Sequence, residues 1–272
     1  MAKESSAFRQ LHLGPESFII PNPWDVGTAR ILAALGFRAL ATTSAGMAFG
    51  LGKADGDVAW ADVLAHCRMI VEATPLPVSA DLERGMGDSP ERAAETIRAA
   101  AGVGLAGCSL EDYSGNASEP IYDFSLAVER IEAAAEAARG LPGDFVLTAR
   151  CENFLHGRLD LDDTIRRLQA YERAGADVLY APGLRDLESI RTVCSAVTKP
   201  VNVIMGLPGA TFSVADLGAA GVKRISVGSA LARLAYGAVA RAAAEMRNQG
   251  TFSFAEGTMG FQELEALVTE RA

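Results

Sequence analysis

Eight times along this chain a short β-branched or apolar run ends in polar residues and gives way to a longer stretch rich in Ala, Leu and Arg. The runs are Phe18–Pro21, Ala39–Thr43, Pro77–Ala80, Gly107–Leu110, Phe145–Ala149, Asp177–Ala181, Val201–Met205 and Arg224–Val227. Strands separated by helices must pair in parallel, because a tight hairpin has no room for a crossover helix. Eight such units in 272 residues suit a closed (β/α)8 TIM barrel, an α/β fold. A doubly wound open sheet is the competing topology, but no GxGxxG follows the first strand, which removes its usual dinucleotide-binding variant. No linker-like stretch divides the chain. The expectation is one barrel domain over 1–272, with 248–272 as a C-terminal extension.

The helices carry their own boundaries. Ser89 reads as an N-cap with Pro90 at the first helical position. The run from Asp160 to Asp163 opens a helix that Gly175 closes. After Arg247 the chain reads as a turn-rich connection and a short amphipathic helix. Phe252, Phe254 and Phe261 there need a surface to cover, either a neighbouring subunit or the barrel's own outer helices.

Composition narrows the class of protein. Hydrophobic residues at 49% and charged residues at 22% describe a chain that folds around its own core. With 25 basic against 34 acidic residues the net charge is −9, which argues against nucleic acid or an anionic membrane as partner. Cys67, Cys108, Cys151 and Cys194 form no CxxC pair and read as free thiols of a reducing compartment. No signal-peptide core and no bilayer-length apolar run are present, so the expected location is cytoplasmic.

In a barrel the C-terminal strand ends face one bowl, which filters the polar residues. Trp24 and Asp25 follow strand 1, Ser44, Ala45 and Gly46 strand 2, Asp81 and Glu83 strand 3, Glu111 and Asp112 strand 4, Arg150 and Glu152 strand 5. Strands 6 to 8 end in Ala-Pro-Gly, Met-Gly-Leu-Pro and Gly-Ser, so the bowl is chemically lopsided. Asp81 and Glu83 alternate in an extended segment and share a face, with Glu111 arriving from the next strand. Three converging carboxylates repel unless one protonates or a cation joins them, and Mg2+ is the hard cation such oxygens favour. Alternatively, they cap the helices that follow. Arg150 suits a carboxylate or a developing enolate oxygen, or a salt bridge to Glu152 or Glu111. The small-residue turn Thr43–Gly46 offers backbone N–H groups for an oxyanion. His66 lies in a helix, His156 just after strand 5, and no Ser–His–Asp or Cys–His arrangement is legible.

Four segments, in order, resemble the isocitrate lyase/phosphoenolpyruvate mutase superfamily: ADLERGMG (80–87), SLEDY (109–113), TARCEN (148–153) and YERAGADVLY (171–180). The likeness runs from about Asn22 to Arg241. It implies a (β/α)8 barrel whose last helix is swapped between partners, giving a homodimer or homotetramer. It also implies bond cleavage or formation beside an α-keto acid through a pyruvate enolate, with Mg2+, or Mn2+ in its place. Carried over by position, Asp81, Glu83 and Glu111 match the metal-binding acids and Arg150 the substrate-binding arginine. Ser44 and Ala45 match a pair whose amides hold a carboxylate, and Asp55 an acid near the metal's waters. The lyase members carry a Lys-Lys-Cys-Gly-His-type loop after strand 4, whereas this chain reads DYSGNASEP (112–120), without Cys, Lys or His. The substrate is therefore expected to be smaller and less charged than isocitrate.

The resulting expectation is a Mg2+-dependent lyase acting on a small α-keto acid, of oxaloacetate-decarboxylase type. Arg150, Glu111, Asp55 and Tyr113 are its candidate catalytic residues. Trp24, Asp25, Ser44, Ala45, Gly46 and Arg150 are placed on the substrate, and Asp81, Glu83 and Glu111 on the metal. Phosphonopyruvate hydrolase or mutase chemistry, or an α-keto-acid-binding homologue without turnover, are the alternatives.

Overall fold

A computed structural model describes residues 2–209 and 211–269, with side chains from Ala7 onward. Eight parallel strands form a nearly closed (β/α)8 barrel: β1 (Phe18–Ile20), β2 (Leu40–Ala41), β3 (Val78–Asp81), β4 (Gly107–Glu111), β5 (Val146–Arg150), β6 (Val178–Tyr180), β7 (Val201–Ile204) and β8 (Arg224–Ser226). Ladders join β2 through β8 in order, and β8 pairs with β1. Between β1 and β2 the described residues form no ladder. Ala41 N–H donates to Pro21 O at 3.1 Å there. The buried Asn22 bridges the seam: its Nδ2 donates to Thr42 O (3.0 Å), and its Oδ1 accepts from Val227 N and Gly228 N (2.9 Å each).

The outer layer comprises α2 (Val26–Ala34), α3 (Ser44–Gly50), α4 (Trp60–Ala73), α5 (Pro90–Gly102), α6 (Phe124–Arg139), α7 (Leu161–Ala174), α8 (Leu187–Ala196), α9 (Val214–Ala219) and α10 (Ala230–Gln249). Ser89 caps α5 through Arg92 N with Pro90 in its first turn. Asp160 caps α7, which ends on left-handed Gly175. Strand 2 stops at Ala41, shorter than its sequence run, because Thr43 becomes the N-cap of α3. An additional helix, α1 (Ala2–Leu13), precedes the barrel. Its Phe8 is fully buried with Phe18, Ile20, Ala39, Val146 and Val178 at the strands' N-terminal end.

The barrel interior is polar above that plug. Buried Arg224 donates to Asn202 Oδ1 (2.8 Å) and Thr148 Oγ1 (2.9 Å), and Asn202 donates to Ser226 Oγ (3.0 Å). Burial lowers the Arg224 pKa to about 10.

After α10, a 3-10 turn (Ser253–Gly257) leads to α11 (Phe261–Thr269). α11 packs on α2 of its own chain, where Arg30 donates to Val268 O at 3.3 Å. Phe252 and Phe261 nevertheless stay 65% and 81% exposed, and Ala232 is the one buried residue described in α10. No helix among the described residues is long and apolar enough to cross a membrane.

Candidate active site

Strand register brings the acidic residues and the arginine together. Asp81 on β3 lies opposite Ser109 on β4, Glu111 opposite Arg150 on β5, and Arg150 opposite Tyr180 on β6. The Arg150 guanidinium sits among three carboxylates: Nη1 to Asp81 Oδ1 at 2.6 Å, Nη2 to Glu111 Oε2 at 3.1 Å, Nε to Glu152 Oε1 at 2.9 Å. The Tyr180 ring lies 5.2 Å beneath it. Burial opposes the charge on Arg150, but Glu152, Glu111 and Asp81 outweigh it and raise its proton affinity. Three carboxylates on one cation leave surplus negative charge. Burial raises the Glu111 proton affinity well above that of an ordinary carboxyl, against the pull of Arg150. The guanidinium thus offsets part of the repulsion expected of the converging acids.

Asp81 is held on its other side by Ser44, whose Oγ donates to Oδ2 at 3.1 Å, and Ser109 Oγ donates to Oδ1 at 3.4 Å. Ser44, Ala45 and Gly46 form the first turn of α3, not the open turn their small size suggests, and Thr43 Oγ1 accepts the Gly46 N–H at 3.2 Å. A Cβ on Gly46 would lie 2.6 Å from Thr43 Cγ2 and 2.9 Å from Trp24 Cβ, so only glycine lets Trp24 pack there. Trp24 is half-buried, its carbonyl 2.9 Å from His66 Nε2. Asp25 is exposed and caps α2, accepting from Thr28 N at 2.7 Å and Thr28 Oγ1 at 2.8 Å. That role, rather than substrate contact, is where the structure places it.

Glu83 also differs from the sequence expectation. It does not alternate with Asp81 along a strand: β3 ends at Asp81, and Glu83 adopts φ 51°, in the left-handed region that non-glycine residues rarely enter. Its side chain lines a cavity of about 320 Å3 together with Asp55, Trp60, Arg84, Glu111 and Tyr113. Burial, then Asp81 and Asp55, push the Glu83 carboxyl up to about 7. Burial and Asp81 raise Asp55 likewise. Among the described residues no three His, Cys, Asp or Glu side chains are grouped closely enough to hold a metal ion unaided.

Tyr113, over the cavity, stacks face to face on His156, centroids 3.9 Å apart and planes at 8°. His156 Nε2 stands 3.8 Å from Glu152 Oε2, and burial lowers its pKa. Glu152, Ser109 and Tyr180 complete the site. Glu152 answers the expected salt bridge to Arg150, whereas Tyr180 could have been found from register and Ser109 from its place across from Asp81.

The remaining motif residues form scaffold. Asp112 accepts from Glu152 N (2.7 Å), Tyr171 Oη (2.6 Å) and Arg167 Nη1 (3.2 Å), all buried. Arg167 Nε and Asn153 Nδ2 in turn donate to Asp163 Oδ2 at 2.9 and 3.0 Å. This network fixes Glu152, and through it the plane of Arg150.

The phosphoenolpyruvate phosphomutase family matches residues 8–247. A protein of Burkholderia cenocepacia J2315, described provisionally as a lyase/mutase, is 56% identical with a TM-score of 0.96, covering 99% of this chain and 96% of that one. 2,3-Dimethylmalate lyase, a PEP mutase/isocitrate lyase superfamily member, is 28% identical with a TM-score of 0.86, covering 98% and 94%. Oxaloacetate acetylhydrolase in complex with oxalate is 26% identical with a TM-score of 0.86, covering 97% and 93%.

Proposed function

Because this chain belongs to the isocitrate lyase/phosphoenolpyruvate mutase superfamily of carbon–carbon lyases and mutases, we propose that it is a Mg2+-dependent lyase cleaving a small α-keto acid through a pyruvate enolate. The observation that carries this reading is the buried Arg150 in its ring of carboxylates, one of which, Glu111, also lines an acidic cavity with Asp55 and Glu83. The site chemistry fits a divalent cation. Asp55 and Glu83 line the cavity, and burial first, then the neighbouring Asp81, raises the proton affinity of both, an environment that a divalent cation would relieve. Asp81 and Glu83 are the residues to hold it, with Asp55 on its waters. The small protein ligand count suits Mg2+, which commonly keeps several waters and takes substrate oxygens. When bound, the ion polarises the keto group and stabilises negative charge on oxygen, an effect of several kcal/mol.

The chain's own residues supply the rest. Arg150, its plane locked by Glu152 and Asp81, presents a fixed cation to the oxygen on which enolate charge develops. Ser44 at the start of α3 orients Asp81 through its hydroxyl. Tyr113 lines the cavity, where it would limit the access of water to a bound substrate. The β6–β8 ends, Ala-Pro-Gly, Met-Gly-Leu-Pro and Gly-Ser, carry no cation of their own, although Arg233 of α10 reaches Gly206 O at the end of β7 (3.3 Å). The exposed apolar face of α10, with Phe252 and Phe261, is the surface for a homo-oligomer.

A panel of α-keto acids with Mg2+, read for CO2 and pyruvate, tests the reading. Turnover lost with EDTA and in Arg150→Ala supports it; full turnover under either condition overturns it. Phosphate release from phosphonopyruvate, with no pyruvate from oxaloacetate, would move the assignment to P–C chemistry, against which the lysine-free segment 112–120 speaks.

A further inference from the structure

Arg130 lies on α6, in the outer layer, and is 2% exposed. Among the described residues it makes no ion pair. Its guanidinium instead donates to Gly87 O (Nη1, 2.5 Å) and Arg84 O (Nη2, 2.6 Å), and stacks 4.7 Å from the Tyr122 ring centroid. A fully buried, unpaired cation is a poor way to fill space, since an apolar side chain of that size avoids the desolvation. A planar fork that reaches two carbonyls at once is something only arginine provides.

Those carbonyls belong to the turn that carries Glu83. The turn is tied on every side. Glu111 N–H donates to Glu83 O (3.0 Å), Gly85 N–H to Leu82 O (2.8 Å), and Met86 N–H to Thr96 Oγ1 (2.9 Å). Tyr122, under the Arg130 guanidinium, donates to Asp88 Oδ1 at 2.5 Å. Gly85 has φ 75°, and a Cβ there would lie 2.5 Å from Thr96 Oγ1. Glu83 is the one described non-glycine residue with positive φ, a conformation that persists only where its surroundings enforce it.

We propose that Arg130 is a positioning residue: from the outer helix layer it clamps the 84–87 carbonyls, holds Glu83 in its left-handed conformation, and thereby sets the affinity of the cavity for a divalent cation. The last step rests on the divalent reading above; the clamp itself does not. Released from the clamp, the turn relaxes toward negative φ and carries the Glu83 carboxylate away from Asp81 and Asp55.

The experiment compares wild type, Arg130→Met, Arg130→Lys and Val193→Ala, the last a buried α8 position remote from the turn that serves as a stability control. Hydrogen exchange of the metal-free proteins reads the clamp, and Mn2+ titration by electron paramagnetic resonance reads the site. Expected are at least tenfold faster exchange at amides 83–88 and at least tenfold weaker Mn2+ binding in Arg130→Met. Arg130→Lys is expected to fall between, and Val193→Ala to change neither despite its lower Tm. If Arg130→Met does not fold, Arg130→Lys carries the comparison. Wild-type exchange in the Arg130 variants, or an equal change in Val193→Ala, overturns the clamp. Absence of Mn2+ binding to wild type overturns the divalent reading alone, and the exchange result still decides the clamp.

Discussion

Replacing Arg150 by Met removes one charge and keeps the aliphatic stem, so the consequences are chiefly electrostatic. Glu111 and Glu152 are 7% and 2% exposed, and neither has another cation within hydrogen-bond distance among the described residues. Stripping the partner from a buried ion pair costs about 3–5 kcal/mol. The loss has a ceiling, because a stranded carboxylate can take up a proton. From an ordinary carboxyl pKa of about 4.3, protonation at pH 7 costs roughly 3.7 kcal/mol, and at pH 5 roughly 1 kcal/mol. Burial raises the proton affinity of both Glu111 and Glu152 and Arg150 opposes it, so removing the guanidinium pushes both toward protonation. The sign follows from linkage: a carboxyl whose folded pKa lies above its unfolded value makes the native state bind more protons, and stability falls as pH rises between the two. Arg150→Met is therefore expected to lose about 4 kcal/mol at pH 7 and about 1 kcal/mol at pH 5. Urea unfolding of the EDTA-treated proteins at pH 5, 6 and 7 measures this. A penalty below about 1 kcal/mol at pH 7, or one independent of pH, would refute the placement of Arg150 as sole counter-ion.

Three further outcomes follow from the same geometry. Glu83, raised to about 7, weakens the metal-free fold as pH climbs from the ordinary carboxyl value through 7. Glu83→Gln should accordingly raise Tm at pH 8 and not at pH 4.5, as differential scanning fluorimetry with EDTA would register. Gly85→Ala meets both a left-handed φ and Thr96, and should lower stability by about 2 kcal/mol or more, read from urea midpoints, while accelerating exchange around Glu83. Asp112→Ala leaves the buried Tyr171 hydroxyl and the Glu152 N–H without their acceptor, while Arg167 keeps Asp163, and should cost about 1–3 kcal/mol, with Asp112→Asn milder on both stability and turnover.

The barrel was legible because each strand–helix unit announces itself: β-branched runs, the Ser89–Pro90 cap, the glycine that ends α7. Strand ends then located Asp81, Glu111 and Arg150 around one bowl. What sequence spacing misjudged were backbone conformations set by neighbours. Glu83 leaves the extended path because Thr96 on the following helix and Arg130, 46 residues beyond the Arg84 carbonyl it binds, grip the turn behind it. Asp25 follows a strand like the other candidates, yet Thr28 three residues on completes a capping box that claims its carboxylate. Ser44 begins a helix because Thr43 caps it. In the motif TARCEN, Arg150 and Glu152 reach the site and the rest is framework: Cys151 faces the core, as strand alternation beside Arg150 requires, and Asn153 joins the Asp163 network. Long-range side-chain reach of this kind leaves no periodic trace in sequence.

The seam at Asn22 bears on how such a cylinder is put together. Elsewhere adjacent staves are laced by continuous ladders, but between the first and second a lone main-chain bond is joined by one carboxamide, which grips the last stave with its oxygen and the second with its nitrogen. Loss of that amide would leave three backbone groups unmet at the point where the ring has the fewest bonds to break.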